Sequence, residues 1–219
     1  MILLIIPISI VSMRKNQLNV VYIIDLDHTI VNVETTSHFL ELLGCRRSLL
    51  LMKPLLIFAQ IFTLVFFRLF KTGIDFSKYL KLRVCLGSLD KEMIDTLARK
   101  YVKMLLGNGL LLNEQVLKLL SKVRETHLTV LLTASISPIA NCFYDLGFKM
   151  VYSSEIMYRN KKFYKIRDLY GHKHMVIKAF LNLRGISKLI IIDDSPENEI
   201  IKLAKKDQRL KIINPRALW

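Results

Sequence analysis

Three short apolar runs, each ending in acids or hydroxyls, constrain this chain more than any other feature. Residues 19–24 (NVVYII) lead into Asp25-Leu26-Asp27, residues 128–132 (LTVLL) into Thr133-Ala134-Ser135, and residues 188–192 (KLIII) into Asp193-Asp194. The runs are apolar nearly throughout and do not alternate, which is the pattern of strands buried on both faces. Helical patterns separate them at 114–122, at 138–146 before Gly147, at 174–183 and at 196–206. Residues 149–152 and 155–164 suggest a short strand and a hairpin, and 211–213 a last strand. The alternation predicts an α/β fold: a Rossmann-like parallel sheet with helices on both faces. Ligands of such sheets bind beyond the carboxyl ends of the strands, so the three polar tails are expected to meet in one pocket.

The chemistry open to that pocket follows from its residue types. Asp25, Asp27, Asp193 and Asp194, crowded together, repel one another, and each is pushed toward protonation. A divalent cation removes the conflict. An all-oxygen donor set without His or Cys favours Mg2+, which keeps waters that a phosphate can replace. Lys173, on the loop that opens the helix before the third run, and the Thr133 hydroxyl supply a positive charge and a donor for the remaining phosphate oxygens. An Asp beside the cation can attack phosphorus, and a second Asp two residues on can protonate the leaving alkoxide and then activate water. Each part alone is ordinary. Asp-x-Asp is often a solvated turn, a Ser or Thr after a strand is often a helix cap, and Ser195-Pro196 is a good helix start in its own right. The signal lies in their order and their strand context.

Composition narrows the partners. The 219 residues are 52% apolar, which excludes wholesale disorder. Lys and Arg number 33 against 18 Asp and Glu, a net charge of +15. Such a chain meets polyanions readily, whether nucleic acid, an anionic membrane face or a phosphorylated substrate. No nucleic-acid recognition motif accompanies the charge, so no specific nucleic-acid partner is expected. Cys45, Cys85 and Cys142 are far apart and odd in number, which gives neither a zinc spacing nor a disulfide framework.

Two segments are unusually apolar. Residues 1–11, followed by Arg14 and Lys15, lack a basic leader and are too short to span a bilayer. Residues 1–17 are either an interfacial anchor or an artefact of start-site choice, with Met13 as the real start. Residues 48–70 (SLLLMKPLLIFAQIFTLVFFRLF) predict a helix starting near Pro54 that is apolar on nearly every side to Phe67. Such a helix needs protein or lipid around it, and a chain this small has little protein to spare.

The motifs resemble those of the haloacid dehalogenase superfamily phosphatases. IIDLDHT resembles the first motif, LLTAS the second, GHK the third and IIDDSPENE the fourth, over residues 20–215. The Gly-x-Lys and the closing Asn214-Pro215 are similar to the phosphoserine phosphatase-like subclass. Glu34 after the first motif, the pair Arg46-Arg47, the long apolar segment and Leu86-Gly87 resemble C-type phosphatidylglycerophosphatases within it. The resemblance implies a phosphatase core of residues 18–32 and 114–219, with a helical cap, residues 33–113, inserted after the first strand and partly facing a membrane. It implies Asp25 as nucleophile, Asp27 as general acid and base, Thr133 and Lys173 as phosphate-holding groups, and Mg2+ on Asp25, the Asp27 carbonyl, Asp194 and Asp193. Two positions depart from the family pattern. His28 stands where glycine is common, and the later acid of the fourth motif falls on Asn198 or Glu199. Ser135 is a weaker stand-in for Thr133. A two-component receiver domain also gathers acids, a Thr and a Lys, but its acidic pair comes first in the chain, whereas here it comes last.

A topological constraint bears on the apolar segment. Asp25 and Thr133 share a pocket, so the chain between them crosses a membrane an even number of times. Only one long apolar segment lies there, so it should lie in the interface rather than span. The expected substrate is a phosphorylated lipid such as phosphatidylglycerophosphate, handled by an enzyme on the cytoplasmic face of an anionic membrane. The alternatives are a soluble phosphatase of phosphoserine type, cytoplasmic with its apolar cap packed as core, and a catalytically weak membrane- or partner-binding module. The complete set Asp25, Asp27, Thr133 and Lys173 argues against the last.

Overall fold

The computed structural model describes residues 19–70 and 76–218, apart from the side chains of 46, 47, 64 and 66–70. The expected N-terminal anchor or start-site artefact lies outside the described residues, as do the side chains of the pair Arg46-Arg47 before the apolar segment.

Six strands form one sheet: β1 (Val20–Ile24), β2 (Leu128–Ile136), β3 (Met150–Arg159), β4 (Lys162–Arg167), β5 (Lys188–Ile192) and β6 (Leu210–Ile213). Their order is β4-β3-β2-β1-β5-β6, and every pairing is parallel except β3 with β4. β1 is central, with Ile24 level with Leu131 of β2 and Ile192 of β5. Side chains alternate across the sheet. Val21 and Ile23 join the core on one face with Leu128, Val130, Leu189 and Ile191, and Ile24 joins the other with Leu131, Ile190 and Ile192. The apolar runs are therefore continuous because both faces are covered, as expected.

Helices α1 (Thr35–Leu42), α2 (Arg46–Leu51), α3 (Lys53–Phe70), α4 (Phe76–Leu86) and α5 (Lys91–Gly107) lie between β1 and β2. Asp90 caps α5 by accepting the Met93 N–H at 2.9 Å, and Asn113 caps α6 (Glu114–Val123) by accepting those of Gln115 and Val116. Gly87 follows the last residue of α4, at a position where a Cβ would collide with the Arg83 carbonyl. The remaining helices are α7 (Ser137–Ala140), α8 (Lys173–Leu181) and α9 (Asn198–Lys206).

Two local differences from expectation have physical reasons. β2 does not stop at Leu132 but continues to Ile136, with a shift in its pairing to β3 between those residues. Buried Ser135 bonds its hydroxyl to the threonines that open α1, and the Thr133 oxygen accepts the Ser135 N–H, so the strand can carry both. The helix expected over 138–146 is one turn of α-helix followed by a 3-10 segment, which ends at Gly147 with φ 98°.

The apolar segment is not a core helix. Among the described side chains of α3 only Leu56 and Ala59 are buried, while Leu55, Ile57, Phe58, Ile61, Phe62 and Val65 are exposed, beside Leu50 and Leu51 of α2. Among the described residues no helix is long and apolar enough to cross a membrane.

Candidate active site

The strand ends meet as the sequence requires. Asp25 follows β1 directly, and its N–H extends the ladder to the Ile192 carbonyl at 2.9 Å, which sets it beside Asp193 and Asp194 after β5. One carboxylate oxygen from each of Asp25, Asp193 and Asp194 lies within 4.8 Å of the others. Lys173 opens α8 and points its ammonium into this group, 2.9 Å from Asp25 Oδ1 and 3.5 Å from Asp193 Oδ2. Asp25, Asp193 and Lys173 are all more than nine-tenths buried.

One ammonium cannot offset three carboxylates. Burial pushes the Asp25 carboxyl up to about 7, with Asp193 and Asp27 adding to the rise and Lys173 opposing it. Burial alone would lower Lys173, but the charges of Asp25 and Asp193 hold it above the ordinary lysine range, so it stays an ammonium. The deficit of positive charge fits a divalent cation, and the oxygen-only donors suit Mg2+. The Asp27 carboxylate is not part of the cluster, so a contribution from Asp27 would come through its carbonyl, as the resemblance has it.

Asp27 is held by the start of α1. Thr35 donates both its N–H, at 2.9 Å, and its hydroxyl, at 2.6 Å, to Asp27 Oδ1. Ser135 Oγ lies 2.6 Å from Thr35 Oγ1 and 3.3 Å from Thr36 Oγ1. Each hydroxyl has one proton, so the donors run Thr36 to Ser135 to Thr35 to Asp27. Ser135 thus turns its hydroxyl to α1 and steadies the Thr35 contact with Asp27 from the other side. Burial raises the Asp27 carboxyl, against the lowering effect of Thr35, and a raised carboxyl suits an acid that must hold a proton near neutral pH. Thr133 is fully buried, and its oxygen accepts the Ser135 N–H at 3.0 Å, which leaves its own proton to donate.

Thr29 and Glu197 join the residues that the sequence singled out. Thr29 accepts the Asp194 N–H at 3.2 Å, and Asn214 donates to the Asp194 carbonyl at 3.3 Å, so both ends of the chain fix that acid. Glu197 lines the mouth, whereas Glu199 is half exposed and pairs with Lys202 at 2.8 Å, outside the acidic cluster. His28 has φ 56°, a left-handed conformation that glycine adopts freely and histidine tolerates, which explains the residue type common at that slot. The mouth is a cavity of about 330 Å³ bordered by Asp27, Glu34, Thr36, Lys78 and Lys173. A larger cleft of about 1060 Å³ runs between α5 and β3, but none of the motif residues lines it. The acids, Lys173 and Thr133 all belong to the smaller one's end of the sheet.

The model of one protein family, haloacid dehalogenase-like hydrolase, matches residues 23–196. The chain belongs to that family. Solved structures share its fold at low identity. A phosphoserine phosphohydrolase-like protein from Francisella tularensis is 17% identical with a TM-score of 0.56, covering 88% of this chain and 85% of its own. Phosphoserine phosphatase from T. onnurineus is 16% identical with a TM-score of 0.53, covering 94% and 96%. A phospho-aspartyl intermediate analogue of phosphoserine phosphatase is 13% identical with a TM-score of 0.54, covering 89% and 92%. No curated protein matches the chain. Family membership makes the chain a haloacid dehalogenase-like hydrolase, with a fold shared with phosphoserine phosphatases.

Proposed function

We propose that this hydrolase is a phosphatase that cleaves a phosphomonoester through an aspartyl-phosphate on Asp25, needs Mg2+, and acts on a lipid phosphate at an anionic membrane surface. Asp25 attacks phosphorus in line while the ester oxygen departs, and Asp27 gives that oxygen its proton. Asp27, now a carboxylate, takes a proton from water, which attacks the acyl-phosphate and frees inorganic phosphate and Asp25. Thr133 and Lys173 donate to the phosphoryl oxygens and hold the group in line. Asp25, Asp193 and Asp194 would hold Mg2+, which supplies charge neutralisation to the pocket and to the phosphoryl group.

The observation that carries the lipid assignment is the exposed apolar side of α3, with Leu55, Phe58, Ile61 and Val65 along it. A continuous apolar surface on an insertion of a chain with net charge +15 suits contact with an anionic bilayer. The C-type phosphatidylglycerophosphatase resemblance points to phosphatidylglycerophosphate as the first lipid to try. The test is phosphate release by purified protein from lipid phosphomonoesters in mixed anionic vesicles and from soluble ones including phosphoserine, with Mg2+ or with chelator. The proposal expects Mg2+-dependent release with a preference for the lipids. A preference for phosphoserine would assign the soluble reading, and full activity in chelator would refute the metal site.

A further inference from the structure

A lysine of the helical insertion reaches into the core. Lys78, in the first turn of α4, places its ammonium 2.5 Å from the Ala134 carbonyl, 2.8 Å from Asp168 Oδ1 and 3.1 Å from Ser154 Oγ. The ion pair is nearly dry, with 13% of the Lys78 side chain and 6% of that of Asp168 exposed. Ser154 closes the ring, 2.6 Å from Asp168 Oδ1 and 2.8 Å from the Ala134 carbonyl, and it accepts the Leu169 N–H at 3.0 Å. Each partner borders a working residue. Ala134 follows Thr133, and Asp168 and Leu169 begin the loop that leads to Lys173. Lys78 also borders the cavity that Asp27 and Lys173 line.

We infer that Lys78 is a positioning residue: its ion pair with Asp168 locks the helical insertion over the site and holds the segments carrying Thr133 and Lys173 in register for phosphoryl transfer. An ammonium shared among a carbonyl, a hydroxyl and a carboxylate in a dry setting is directional, and removing one partner leaves the other buried and uncompensated. The lock joins four separate parts of the chain, α4, the end of β2, β3 and the loop before α8, through one atom. The inference rests on the phosphatase assignment for its kinetic consequence but not for its structural one.

The test pairs kinetics with amide hydrogen exchange on wild type, Lys78→Met, Asp168→Asn and the double variant, using a small soluble aryl phosphate and Mg2+. The expected result is a loss of at least about 30-fold in kcat for each single variant, with KM moved less than about threefold. The double variant should lose no more than the worse single, because one interaction is removed twice. Exchange should rise together in α4 and in residues 168–173 while β1 and β5 stay protected. If Lys78→Met does not fold, Lys78→Gln, which can still donate to Ala134 and Asp168, takes its place and should lie between wild type and Asp168→Asn. Losses that multiply in the double variant, a folded Lys78→Met within about threefold of wild-type kcat, or exchange unchanged in residues 168–173 would each overturn the lock. A rise in KM alone would also overturn it and make Lys78 a substrate-binding group. A wild type without phosphatase activity would overturn the phosphatase assignment instead, and the exchange data would still decide the lock.

Discussion

Replacing Phe58 and Ile61 of α3 with serine separates lipid contact from core packing, because both side chains already face outward. They are 66% and 55% exposed. Full burial of such a side chain contributes about 1.5–3 kcal/mol, so lipid contact over the exposed fractions of the pair amounts to about 3 kcal/mol. That is about two orders of magnitude in partition coefficient. The fold should lose little, since exposed substitutions away from special features stay within about 0.5 kcal/mol and serine costs a helix only a few tenths more at each site. Phe62 is a poorer choice, because its ring packs edge-on against Phe76 at 5.0 Å. The assay is co-sedimentation with anionic vesicles, alongside thermal melting and turnover of a lipid and a soluble phosphomonoester. The expected outcome is loss of vesicle binding and of lipid turnover, with soluble turnover and melting temperature kept. Equal binding by wild type and variant would refute the membrane role of this face, and a variant that merely unfolds would make α3 core after all.

Other perturbations address the site. Thr35→Val should lower kcat about ten- to a hundredfold, because the half-buried Asp27 oxygen loses its shortest donor; Thr35→Ser should restore most of it, and a Val variant at wild-type kcat would remove Thr35 from the mechanism. In chelator, folded Asp25 keeps its proton up to about 7 and Asp27 is raised as well, whereas the unfolded groups lose theirs near 3.8. The native state therefore binds more protons in that window, and stability should fall as pH rises from about 4 to 7. Melting curves in chelator should show this fall, and saturating Mg2+ should reduce it; a rise in stability over the window would contradict the burial of these acids.

Much of the site was legible because its residues sit where apolar strands end. Asp25, Asp193 and Asp194 need only β1 and β5 to be neighbours, which parallel order supplies, and Lys173 needs only to open a helix at the same sheet edge. What was not legible depends on the insertion. Thr35 and Thr36 look like ordinary helix-start residues until α1 packs against β2 and brings Ser135 to them. Lys78 did leave a trace. It lies four residues before Leu82 and seven before Cys85, on the buried stripe of α4, where a lysine needs a partner. That the partner is Asp168, 90 positions away, is a property of the fold alone. The later acid of the fourth motif was left between Asn198 and Glu199, and α9 turns Glu199 to solvent and Lys202.

The central claim is that phosphate passes through Asp25. The most direct measurement is to quench the Mg2+-loaded enzyme during turnover, reduce the acyl-phosphate with borohydride, and map the reduced residue by mass spectrometry. Modification is expected at Asp25 in wild type, should persist in a slowed Asp27→Asn variant, and should be absent in Asp25→Asn, which should also lose nearly all turnover while remaining folded. Phosphate release by Asp25→Asn at more than about a tenth of the wild-type rate, or a reduced residue anywhere else in the chain, would contradict the claim.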